Sequence, residues 1–167
     1  MESLLEKISS YNILNNLIPG AFFAFFWNQL DLYEIELSGV VECLFVYYFL
    51  GMVISRIGSL VIEELFKKWK LIKYADKRQY VKAVNKDSRI EDLIATSNMY
   101  RTCAALFLTL SVAKGYSLLA IRFSIPDWLT VLLVALLLLL LFSVSFIKQT
   151  RHIVSRVDIA SEQIEGE

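Results

Sequence analysis

The chain has 167 residues, 56% of them hydrophobic and 20% charged, with a mean hydropathy of +0.53. A soluble domain of this size buries only about 70% of its surface and could not hide that apolar excess. Composition therefore excludes a disordered chain or a disulfide scaffold and points away from an ordinary soluble domain. Seventeen basic and seventeen acidic residues leave no net charge, so overall charge names no partner.

Residues 1–10 carry Glu2, Glu6 and Lys7, with no small-residue cleavage site after them. They do not read as a signal peptide and are expected to form a short cytoplasmic segment. A bilayer core about 30 Å thick needs about 20 mostly apolar residues per spanning helix. Residues 11–30, 37–60, 100–123 and 127–147 meet that length. The first two form one expected transmembrane hairpin (11–60) and the last two a second (100–147). The connections agree: DLYEIE is a short acidic turn between the first two spans. In RFSIPD between the last two, Pro126 and Asp127 suit a helix start.

The first span places Asn12, Asn16, Gly20, Ala24 and Asn28 four residues apart, on one helix face opposite Phe and Leu. Such a stripe serves either close helix packing with interhelical hydrogen bonds or a water-filled path through an oligomer. Pro19 removes a backbone donor and crowds the Asn15 carbonyl, so a kink is expected there. In the second span Gly51, Ser55 and Ser59 repeat the spacing of four, a ladder that admits close backbone approach within or between chains.

Residues 61–99 form the expected basic cytoplasmic segment, and residues 148–167 a cytoplasmic tail that continues the fourth span as a helix. From residue 66 to 89 there are nine basic and two acidic residues. That charge reads as a topology signal with attraction to anionic lipid, or as a docking surface for an acidic protein partner, with Lys77, Arg78 and Lys82 as its contacts. No fold or aromatic platform for nucleic acid accompanies it, so no direct nucleic-acid contact is expected. The second span, without a breaker after Gly58, is expected to continue to about Tyr74. A short helix over 76–86 follows, and Ser88 with Glu91 forms a capping box for a helix running unbroken through the third span.

Orientation follows from the basic residues: fifteen of seventeen fall on one side of the four spans, and only Lys114 and Arg122 on the other. Both termini and the central segment are expected in the cytoplasm of a cell with this protein in its inner membrane. Glu42 and Lys114 are the deepest charges. At 1.5 Å per residue they lie about 6–8 Å and about 12 Å below the outer face. They read as a buried pair, as snorkelling side chains or as part of an ion path.

No HExxH, GxSxG, P-loop or Rossmann glycine pattern occurs. Glu63 and Glu64 are adjacent and face different directions on a helix. His152 is a lone histidine in a charged tail, and Cys43 and Cys103 read as small apolar residues. No enzyme, cofactor or metal is expected.

YNILNNLIPG in the first span and NMYR at the start of the third resemble segments of small four-span bacterial inner-membrane proteins. The layout is similar to that of the membrane subunit of the Kiwa anti-phage defence system. The resemblance implies a subunit that oligomerises in the inner membrane and works with a soluble DNA-binding partner, and it carries over no functional residue. The expected architecture is thus an all-α, multi-pass membrane protein: four transmembrane helices with a small helical cytoplasmic base. The expected function is a non-enzymatic sensor or scaffold that oligomerises and engages a cytosolic protein, with an oligomeric pore as the alternative.

Overall fold

The computed structural model describes the backbone of residues 2–30, 39–75, 77–84, 87 and 89–165. It describes the side chains of residues 15–30, 39–75, 79–80, 83–84, 87, 89–159 and 161. Every regular element among the described residues is a helix: α1 (Glu2–Gln29), α2 (Val40–Ile57), a π-helical turn (Gly58–Ile62), α3 (Glu63–Lys68), α4 (Lys77–Val84), α5 (Arg89–Arg122) and α6 (Asp127–Glu165). Three continuous helical stretches are long and apolar enough to cross a membrane: Val40–Lys68, Arg89–Arg122 and Asp127–Ile159. α1 is not among them. Asn12, Asn15, Asn16 and Asn28 dilute its apolar content, and its side chains are described only from Asn15 onward.

The second long helix does not run to Tyr74. It changes register in the π-turn, where the Glu63 N–H bonds back to the Gly58 carbonyl five residues earlier. It stops at Lys68. Leu71 N bonds Phe66 O at 2.9 Å and Lys70 N bonds Lys67 O at 3.0 Å, with Lys70 at φ 59°, a Schellman ending built on a lysine instead of the usual glycine. α5 ends the same way. Ile125 N bonds Ala120 O at 2.9 Å and Ser124 takes φ 51°, after which Pro126 opens α6. At the start of α5 the cap comes from Asp87, whose Oδ1 accepts from Arg89 N at 3.0 Å. The expected cap residue, Ser88, lies outside the described residues.

α1, α2, the π-turn and α5 share one core. Phe23, Ile54, Ile62, Ala105, Leu106 and Leu110 are buried in it, with Phe26, Trp27, Leu50 and Phe66 against them. α1 and α2 approach closest. A Cβ on Gly20 would overlap the Tyr47 carbonyl, and one on Gly51 would overlap the Asn16 carbonyl. About two turns further along, a Cβ on Gly58 would sit 3.3 Å from Arg101 O of α5. At Gly20 and Gly51 only a residue without a Cβ admits backbones this close, while Gly58 is merely tight.

α6 contributes nothing to that core, and only 6% of its most apolar window is buried. Described contacts hold it near its start and in the middle: Tyr116 Oη to Thr130 Oγ1 at 2.8 Å, Phe49 against Phe142 with ring centroids 6.2 Å apart, and the ionic contacts of Lys148. Its exposed face of Leu132, Leu133, Leu136, Leu137, Leu139 and Leu140 is untenable in water. Lipid tails would cover it at no free-energy cost, being as apolar as the leucines.

Candidate functional site: a polar cleft at the basic end of the helices

Glu63 follows the π-turn and is only 9% exposed. A carboxylate so placed persists only if paired, and it is paired from two further helices. Its Oε2 accepts from Arg101 Nη1 of α5 at 2.8 Å, and its Oε1 lies 3.4 Å from Lys148 Nζ of α6. Within its own helix Lys67 Nζ donates to the same Oε1 at 2.7 Å. Glu64 joins the cluster through Lys67 at 3.1 Å and Lys148 at 3.3 Å. The two adjacent carboxylates face differently, Glu63 inward and Glu64 more than half exposed, yet both reach Lys67 and Lys148.

The π-turn supplies the remaining contact. Adding a residue to the turn shifts the hydrogen-bond ladder, and Lys148 Nζ donates to the Ser59 carbonyl at 2.7 Å and to Ser59 Oγ at 3.1 Å. Just beyond the end of α3, Tyr74 lies with its ring 4.9 Å from Lys67 Nζ. Burial pushes the Tyr74 phenol above its usual pKa, and the Glu63 charge raises it further.

Several hollows border this cluster, three of them with distinct linings. One of about 240 Å³ is lined by Arg56, Ser59, Glu63, Arg101, Ser145, Lys148 and others. A second, about 230 Å³, lies between α1, α2 and α5 and is lined by Asn15, Asn16, Ser55, Arg56, Asn98 and Thr102 among others. Pro19 has no N–H, so the Asn15 carbonyl beside this hollow lacks its helical partner. The third, about 600 Å³, opens among the helix extensions, where Tyr74, Tyr80, Ile94, Ser155, Arg156 and Ile159 form a largely apolar wall. There Arg156 lies 5.9 Å from the Tyr80 ring centroid, tying α6 to α4. His152 lines the first and third hollows. Among the described residues no three His, Cys, Asp or Glu side chains converge to hold a metal.

The residues singled out from the sequence are distributed unevenly. Gly20 and Gly51 meet across the α1–α2 crossing, the Asn16 backbone lies against Gly51, and the Asn16 side chain borders the second hollow with Ser55. Ser59 belongs to the ionic cluster, and Asn28 is exposed near the end of α1. The Asn12, Lys77, Arg78 and Lys82 side chains lie outside the described residues, though their backbones belong to α1 and α4. Lys114 donates to the Leu30 carbonyl at 2.6 Å, where a cation complements the C-terminal end of α1. Glu42 takes no part in that bond. It sits exposed in the first turn of α2, with interactions of its own.

Sequence reasoning missed the Glu63 cluster, because Arg101 and Lys148 were read only as topology signals. The available signal was a carboxylate at the end of an apolar helix with cations at the ends of two others. Comparisons with protein-family models, with curated proteins and with solved structures find no match for this chain.

Proposed function

We propose that the chain is a non-catalytic, multi-pass membrane protein that couples its membrane-embedded helices to a cytosolic protein partner. In this reading α1 is a fourth span, both termini are cytoplasmic, and the protein works as a homo-oligomeric sensor or scaffold in a bacterial inner membrane. The observation that carries the reading is the Glu63 knot. One buried carboxylate ties α3, α5 and α6 together where the apolar helices pass into their polar extensions. α5 and α6 run from the apolar region into the basic end without a break, so a tilt or rotation in the membrane would reach the base as rigid-body motion. The basic run over residues 66–89 then supplies charge to steer an acidic partner. The similarity in layout to the Kiwa membrane subunit makes anti-phage defence the first setting to test.

The pore reading draws on a different observation, the polar hollow lined by Asn15, Asn16 and Ser55. Gly20 and the Asn16 backbone are engaged inside the chain, which leaves less of the stripe to line a path between copies. One experiment separates the two. The protein is expressed with the soluble product of its adjacent gene, and membrane recruitment of that product and membrane potential are recorded together. Recruitment with an intact potential supports the coupling reading. Leakage without recruitment supports the pore.

A further inference from the structure

We propose that the hollow between α2, α5 and α6 binds an anionic phosphate group, that of an acidic phospholipid headgroup. This goes beyond the recruitment reading and does not depend on it.

Two buried polar atoms here have no partner among the described residues: Ser145 Oγ and Arg101 Nε. Ser145 is 8% exposed, and both residues line the same hollow of about 240 Å³. A buried hydroxyl and a buried guanidinium N–H left unpaired cost free energy, and both are donors available to an acceptor in the hollow. The rest of the lining selects the sign of that acceptor. Three cations line the hollow, Arg56, Arg101 and Lys148, against one lining carboxylate, Glu63, with Glu64 reaching Lys148 from outside the lining; Glu63 is already held by Lys67, Arg101 and Lys148. Lys148 is spent on Ser59 and the two glutamates. Arg56 has no described hydrogen bond or ion pair, and its planar guanidinium suits phosphate oxygens. The hollow therefore offers Arg56, Arg101 Nε and Ser145 Oγ to an anion. Its place at the basic end of apolar helices is where headgroup phosphates lie and where basic pockets between helices recruit acidic lipid. Water alone would leave the excess positive charge uncompensated.

The test uses the purified full chain in a neutral detergent, titrated separately with dioctanoyl phosphatidylglycerol, dioctanoyl phosphatidylcholine and inorganic phosphate. Thermal stability and native mass spectrometry of retained lipid are the readouts. Phosphatidylglycerol should bind at one saturable site and raise the melting temperature, with phosphatidylcholine at least about tenfold weaker. Ser145→Ala and Arg56→Gln should each weaken phosphatidylglycerol about tenfold, the scale of one charge-assisted hydrogen bond. Neither residue makes a described bond in the Glu63 cluster, so if one variant fails to fold the other still decides. Inorganic phosphate that protects as well as the lipid, and loses its effect in the same variants, keeps the site and makes the free anion its source. Equal binding of the two lipids, or phosphatidylglycerol binding untouched by the variants, overturns the proposal and leaves a hydrated cleft.

Discussion

Gly20 of α1 and Gly51 of α2 lock into one another: a Cβ on Gly20 would lie 2.8 Å from the Gly51 nitrogen, and a Cβ on Gly51 would overlap the Asn16 carbonyl. The small-residue ladder is therefore occupied within the chain at this crossing. Gly51→Leu should act first on the subunit, because the new side chain has backbone rather than flexible side chains to displace. Overpacking of this kind costs about 1–3 kcal/mol or more. The expected outcome is a lowered melting temperature at every oligomeric state, measured in detergent with light scattering. Clean dissociation to a monomer of unchanged stability would instead place the ladder between subunits.

Glu63 is the second point at which one atom type matters. Glu63→Gln keeps the shape and removes the charge that Arg101 and Lys148 answer. Breaking a fully buried pair costs about 3–5 kcal/mol. The partners are here 21% and 24% exposed in their side chains, so solvent screening lowers the expectation to about 1–3 kcal/mol. A double-mutant cycle with Lys148→Met should return a coupling of about 0.5–3 kcal/mol. Strict additivity would mean that α6 is not tied to α3 through this carboxylate.

Those two sites show what the sequence discloses and what it withholds. Helix type, the Pro126–Asp127 start of α6 and the long runs of α5 and α6 are local, set by apolar composition and breakers, and the reading from residues places them. The end at Lys68 was hidden because the αL position falls on Lys70, where composition offers no glycine to announce it. The π-turn was hidden because GSLVI has no distinctive composition. The ionic cluster joins residues 38 and 85 positions apart, and spacing along one helix cannot show such a meeting. Lys114 shows a partner that counting charges overlooks: a helix C-terminus also suits a cation, and Lys114 donates to Leu30 O there.

Topology is testable without knowing the function. Single cysteines replacing any of residues 31–36 should react with an impermeant maleimide added to intact spheroplasts, and a cysteine replacing Lys77 should react only after lysis. The reason is the lopsided distribution of basic residues, fifteen of seventeen on one side of the proposed spans. Reactivity at Lys77 from outside would reverse the orientation. Protection of residues 31–36 on both sides would place that stretch inside the bilayer.

The functional reading makes its sharpest prediction at α4. Lys77, Arg78 and Lys82 fall within this eight-residue helix, in the most basic stretch of the chain. If the base recruits an acidic partner, changing all three to Glu should reduce membrane recruitment of the adjacent gene's product by about tenfold or more, since like-charge juxtaposition costs several kcal/mol. The residual binding should depend less on salt, because long-range steering is what screening removes. The same substitutions subtract from the topology signal, so the cysteine accessibility above must be repeated in the triple variant before its recruitment is read. Asn16→Leu tests the other reading in parallel. It replaces a polar side chain bordering the hollow of Asn15 and Ser55, and should abolish ion leakage, leaving recruitment intact, if that hollow belongs to a conducting path. A triple variant that inserts correctly and recruits normally removes the basic surface from the mechanism. The charge would then serve insertion and lipid attraction alone, and the Glu63 knot would have to act on something other than a partner docked at α4.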